Sequence, residues 1–95
     1  MLKIKEAKTF KEKLIGLILE KHINYGMYFK NVSSIHTFFM KDTIDVIGLN
    51  NLNIITEIHP NIRPNHILIL KKSKNTLEVP KGYSKKFKIG QKVKI

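Results

Sequence analysis

Ninety-five residues suffice for one domain and leave no room for a second, and a chain of that length buries only a modest core, which argues against a large substrate-enclosing active site. There is no cysteine, which excludes disulfides, thiolate metal sites and a cysteine nucleophile and fits a reducing compartment. The net charge is +11, from 18 basic and 7 acidic residues, and a hydrophobic content of 42% is too high for a disordered chain.

The first residues alternate apolar and charged side chains, with Leu2 and Ile4 spaced as in a short strand, and do not read as a secretory leader. Thr9-Phe10-Lys11-Glu12 is a capping-box pattern, in which the threonine oxygen accepts the Glu12 N–H and Glu12 reaches back. It predicts a helix over residues 10–20 whose apolar face is Phe10, Leu14, Leu17 and Ile18, with Gly16 marking close packing. The apolar stretch Leu14 to Leu19 is far short of the roughly 20 residues that span a bilayer. No membrane partner is expected, and the expected location is the cytoplasm.

Strands are predicted at Tyr25–Phe29, 37–40, Ile44–Leu49, 53–58, 66–70 and 76–79. Asn50-Asn51-Leu52 supplies a hairpin turn, because asparagine tolerates positive φ. Pro60 and Pro64 predict an irregular stretch over 59–64. Pro80-Lys81-Gly82 stops a strand, residues 83–87 read as one helical turn, and 89–95 read as a last alternating strand. One main N-terminal helix and six or seven short strands predict an α+β fold. Its mostly antiparallel sheet would be small and curled, or barrel-like, which hides the edges. The whole chain, 1–95, is expected to be a single domain.

Residues 36–45 mix His36, Thr37, Lys41, Asp42, Thr43 and Asp45 with Phe38, Phe39, Met40 and Ile44. A segment that serves only the fold normally sorts polar from apolar positions more cleanly. An aspartate bonded to an imidazole orients it and raises its basicity, so His36 and Asp45 are a candidate acid–base pair. The preferred alternative is a polar pair that fixes strand register, since buried polar groups must be hydrogen-bonded. Thr37 and Thr43 read as strand and turn residues, Met40 as core, and Lys41 as a solvated lysine or an anion contact. Arg63, the only arginine, sits in a rigid loop, where it either pairs with Glu78 or Asp45 or anchors an anionic ligand. Glu78 faces opposite to Leu77 and Val79 and is a site residue if that face lines a concavity. No metal-ligand spacing, glycine-rich phosphate loop, nucleophile elbow or RNA-binding aromatic signature is present, so neither metal nor cofactor is expected.

The charge is unevenly spread. Residues 1–36 hold seven lysines and three glutamates, 37–70 hold two basic and three acidic residues, and 71–95 hold nine lysines against Glu78. Lys71, Lys72, Lys85, Lys86 and Lys88 are therefore candidate nucleic-acid contacts. A solvated lysine surface is the preferred alternative, because phosphate clamping and base reading favour arginine.

Several short motifs occur in order along the chain. They are Lys13-Leu14-Ile15-Gly16-Leu17, Gly26-Met27-Tyr28-Phe29, His36-Thr37-Phe38-Phe39-Met40, Ile44-Asp45-Val46, Arg63-Pro64, Leu77-Glu78-Val79-Pro80-Lys81-Gly82 and Ile89-Gly90-Gln91-Lys92-Val93. In this combination the chain resembles the uncharacterised family called domain of unknown function 192. Gln91, Gly48 and Asn50 depart from its usual residues, which are aspartate, a bulky apolar residue and aspartate. The resemblance implies a compact, β-rich, barrel-like domain with one helix, and no established reaction, cofactor or substrate.

Three readings follow. The first is a binding module for a small ligand or protein, with a polar pocket built from His36, Thr37, Lys41, Asp45, Arg63 and Glu78. The second is a nucleic-acid-binding protein using the C-terminal lysines. The third is a small enzyme using the His36–Asp45 pair.

Overall fold

A computed structural model of the chain describes residues 3–7, 25–37, 40 and 42–95. They form β1 (Lys3–Glu6), β2 (Tyr25–Phe29), β3 (Ser34–His36), β4 (Ile44–Leu49), β5 (Ile55–Ile62), β6 (Ile67–Ile69), β7 (Asn75–Pro80) and a 3₁₀ turn (Tyr83–Lys86). Five strands make one sheet in the order β1-β2-β7-β4-β5. β1 and β2 run parallel, and the other neighbours are antiparallel. β3 and β6 form a separate antiparallel ribbon.

The expected α+β, barrel-like fold is corrected on two points. Among the described residues there is no α-helix, only the 3₁₀ turn. Among the described residues the sheet is open, ending at β1 and β5, and does not close into a barrel. The helix expected over residues 10–20 lies outside the described residues. Closure is not needed to protect the edges: β1 is four residues long and three of them are charged, while β5 carries Pro60 and two register shifts.

β4 is buried at all six positions because both of its faces are covered. On one face Ile47, Leu49, Leu77, Val79, Tyr28, Ile55 and Val93 form a core, with Tyr83 and Phe87 of the C-terminal segment against it. On the other, Ile44, Val46, Met40 and Leu70 pack with Ile35 and Leu68 of the ribbon. The strand period of two assigns alternate residues to the two cores. Asp45 therefore shares a face with Ile47 and Leu49. Glu78 shares the opposite face with Val46 and Met27, its partners in register on either side.

Three strand expectations are also corrected. Of the strand expected at 37–40, Thr37 and Met40 stand outside any strand and residues 38–39 lie outside the described residues; the strand described before them is Ser34–His36, which pairs with β6. The irregular stretch expected from residue 59 begins only at Arg63, because β5 is an edge strand and the N–H that Pro60 lacks removes no ladder bond. The last strand expected at 89–95 is reduced to a bridge between Ile54 and Lys92. Gly90, at φ 93°, turns the chain there, and the segment docks on the start of β5 through bonds from Gly90 N to Ile55 O, from Ile55 N to Gln91 O and from Val93 N to Asn53 O. The Asn50–Leu52 hairpin forms as expected, with Asn53 at φ 61° and the Asn50 side chain accepting the N–H groups of Leu52 and Ile54.

Candidate functional site

Thr37 organises one end of the ribbon. It is 1% exposed, and its hydroxyl donates to the Arg63 carbonyl at 2.6 Å while accepting the His66 N–H at 2.8 Å. Its backbone N–H donates to the His66 carbonyl, and its own carbonyl accepts the Asn65 N–H. A buried threonine with every polar atom engaged thus staples the 63–66 loop to the end of β3, helped by Asn65 at φ 66°, a conformation asparagine tolerates. The staple leaves Arg63, His66 and His36 exposed at the same end, with His36 opposite Ile67 in the ribbon register. A cleft of about 290 Å³ opens there, lined by Asn61, Ile62, Arg63, His66, Ile67 and Leu68. His66 Nδ1 lies 2.9 Å from the Pro64 carbonyl and 3.1 Å from that of Arg63. Two acceptors facing one ring nitrogen assign the hydrogen to Nδ1, so the neutral imidazole presents Nε2 as an acceptor and the charged one presents a donor.

Asp45 serves a different place. It is fully buried, and Oδ1 accepts the Asn61 N–H at 2.9 Å while Oδ2 accepts those of Gly82 and Ser84 at 2.9 and 3.0 Å. Burial pushes its carboxyl upward, but the Ser84 side chain and the N–H groups of Asn61, Ser84 and Gly82 prevail and hold it below the ordinary carboxylate value. Asn61, at φ 59°, stands where the β4–β5 register shifts, so the carboxylate accepts an N–H there that the shifted ladder leaves over. Asp45 points into the face covered by the C-terminal segment, whereas His36 belongs to the ribbon on the other face. The expected His36–Asp45 pair is therefore not formed.

Glu78 is 5% exposed, lies between Met27 and Val46, and has no hydrogen-bond partner for Oε1 among the described residues. Burial alone pushes its carboxyl up to about 8. Arg63 makes no ion pair with Glu78 or Asp45, contrary to the structural role expected for it; the ion pair found among the described residues is His59–Glu57. Of the six expected pocket residues, His36, Thr37 and Arg63 gather at one end of the ribbon, Asp45 and Glu78 face elsewhere, and Lys41 lies outside the described residues.

The candidate nucleic-acid lysines also divide. Lys71 and Lys72 are exposed in the turn after β6, where the Lys72 N–H is held by Glu57. Lys85, Lys86 and Lys88 are exposed on the segment that covers the opposite face of the sheet. Among the described residues no group of three or more His, Cys, Asp or Glu is placed to hold a metal ion, and no helix is long and apolar enough to cross a membrane.

One polar network is not predicted from the sequence. Glu57 accepts the Ser73 hydroxyl at 2.7 Å through Oε2 and lies 2.9 Å from His59 Nε2 through Oε1, while Ser73 Oγ lies 3.0 Å from Thr56 Oγ1. The register shift after Gly48 puts Thr56 and Glu57 together against Ser73. Gly48 makes room: a Cβ there would stand 2.0 Å from Ser73 Oγ. A glycine inside a strand is the sequence signal for such an approach.

The DUF192 family model, described as "Uncharacterized ACR, COG1430", matches residues 1–95. The chain belongs to the DUF192 family. No curated protein matches it. Two solved structures share the DUF192 chain's fold. A protein of unknown function from Novosphingobium aromaticivorans DSM 12444 superimposes with a TM-score of 0.86 at 20% identity, over 99% of this chain and 75% of that one. A protein described as a "putative transcription regulator" from Sinorhizobium meliloti 1021 does so with a TM-score of 0.81 at 19% identity, over 94% of this chain and 78% of that one. At such identities the likeness establishes the fold of this DUF192 member and nothing about its ligand.

Proposed function

We propose that this DUF192 protein is a binding module whose site is the cleft at the Thr37-stapled loop, and that it takes a small anionic group there. The observation that carries this reading is the buried Thr37 hydroxyl, which fixes a loop presenting Arg63 and His66 at the mouth of a cleft with no acidic residue among its described lining residues. Arg63 supplies a planar fork that suits a carboxylate or phosphate, and His66 adds a donor when charged. Ile62, Ile67 and Leu68 supply an apolar wall for the rest of the ligand.

The test is a titration with inorganic phosphate and with small dicarboxylates, followed by backbone amide shifts. Shifts should cluster on Asn61–Leu68, and Arg63→Ala should weaken binding by about tenfold or more. Shifts mapping elsewhere, or an Arg63→Ala protein that binds as well as the parent, would remove the reading.

A second reading, nucleic-acid binding, is favoured by nine lysines against one glutamate over residues 71–95. The division of those lysines between the two sides of the sheet weighs against one continuous contact. Affinity for random duplex DNA should fall steeply with salt, and absence of binding at about 50 mM salt removes the reading.

A further inference from the structure

A second cleft, of about 350 Å³, lies on the other side of the sheet and is lined by Ile4, Tyr83, Lys86, Phe87, Gln91, Lys92, Val93 and Lys94. Three separate stretches build it: the edge strand β1, the 3₁₀ turn with Phe87 after it, and the last residues. Each is tied to the sheet by its backbone. β1 pairs with β2, the Ser84 N–H of the turn bonds to Asp45 Oδ2, and the Val93 N–H bonds to Asn53 O. Ile4, Tyr83 and Phe87 are partly buried against the first core and Val93 is 6% exposed, so the cleft has a fixed apolar floor. The residues on either side of Val93, Lys92 and Lys94, are exposed, as is Lys86, whose Nζ stands 5.0 Å from the centre of the Tyr83 ring.

We infer that this cleft is a binding site for an amphipathic anion, a short acyl chain ending in a carboxylate or phosphate head. The apolar floor offers burial to a chain, and its volume is at the low end for small-molecule sites, about 300–1,000 Å³. Among the described lining residues the rim carries three ammonium groups and no carboxylate. Lysine acts as a mobile point charge, which suits a compact head whose position varies with chain length, where arginine would demand a fixed planar partner. Gln91 brings an uncharged amide to the lining, and its Oε1 accepts the Lys88 N–H at 3.0 Å. A glutamate there keeps that acceptor and changes only the charge of the rim.

This site is independent of the Arg63–His66 cleft, and one experiment separates them. The intact protein is titrated with decanoate, decyl phosphate and decanol, each below its aggregation threshold, and followed by amide shifts and calorimetry. Decanoate or decyl phosphate should bind saturably at one site, with shifts at Ile4, Phe87 and Val93, and the stronger of the two identifies the head. Gln91→Glu should weaken binding about three- to tenfold, and Lys92→Glu with Lys94→Glu, both exposed and safe for the fold, by about tenfold or more. Decanol binding as tightly as decanoate, no saturable binding, or shifts confined to Asn61–Leu68 would each overturn the assignment. So would a short oligonucleotide that displaces bound decanoate at equal or lower concentration, which would hand the lysines to nucleic acid.

Discussion

The Asp45 carboxylate reaches across 37 positions of the chain to accept the Gly82 N–H at 2.9 Å. The same oxygen takes the Ser84 N–H, and the other oxygen the Asn61 N–H. Gly82 opens the 3₁₀ turn at φ 90° without a capping side chain of its own, so Asp45 caps the turn from a distance. A residue placed like a catalytic partner in the sequence is thus the clamp between the β5 bulge and the C-terminal segment.

Asp45→Asn should destabilise the fold by about 2–3 kcal/mol, because it turns a charge-assisted acceptor of three backbone hydrogen bonds into an amide that faces N–H donors with an NH₂. The Asp45 carboxyl is lowered in the folded state, so its contribution is present above the unfolded value and is lost as pH falls through the folded one. The acid limb of the parent's stability curve should flatten in the variant. Chemical denaturation across the acid range measures both effects, and an unchanged acid limb contradicts the clamp.

Glu78→Gln should stabilise the protein at neutral and alkaline pH. Burial raises the carboxyl from 4.5 in the unfolded chain to about 8 in the folded one. Between those values the native chain keeps a proton that the unfolded chain has released, so parental stability falls as pH rises across the window, at up to about 1.4 kcal/mol per pH unit. The amide does not titrate and keeps the shape. Parent and variant unfolding curves that run parallel over this window would show that the Glu78 carboxyl does not titrate as a buried group.

Gly48→Ala should destabilise by about 1–3 kcal/mol through overpacking, since the new methyl would stand 2.0 Å from Ser73 Oγ and 2.9 Å from Ser73 Cβ. Ser73→Gly removes both atoms. In the double variant the two penalties should therefore not add, and a thermal-unfolding cycle reads the coupling. Strict additivity would mean that the Gly48–Ser73 contact is not the source of the penalty.

Thr37→Val keeps the volume and removes the hydroxyl, leaving the His66 N–H without its acceptor and the Arg63 carbonyl with the longer contact to His66 Nδ1. The expected loss is about 1–3 kcal/mol, with faster hydrogen exchange at Asn65 and His66 and weaker anion binding at the Arg63 cleft. Exchange unchanged at those two amides would separate the loop from the threonine.

Tyr25–Phe29 and Ile44–Leu49 are legible in the sequence as strands because the period of two and the flanking turns are properties of a few adjacent residues. The Asn50–Leu52 hairpin and the turn after Pro80 are legible for the same reason: asparagine and glycine carry their φ preferences wherever they stand. Family membership is legible too, since short motifs in a fixed order survive without any knowledge of contacts.

Strand order is not legible. Nothing local says that β7, the last strand in the chain, inserts between β2 and β4, and that insertion carries Glu78 between Met27 and Val46. His36 and Asp45 are nine positions apart in sequence, yet the choice of sheet sends one to the ribbon and the other through the opposite face. Local backbone chemistry specifies which residues become strands. Which faces those strands bury, and hence which polar side chains meet, follows only from the packing of segments distant in the chain, where the hydrophobic effect is non-directional and hydrogen bonds must be completed by whatever donors arrive.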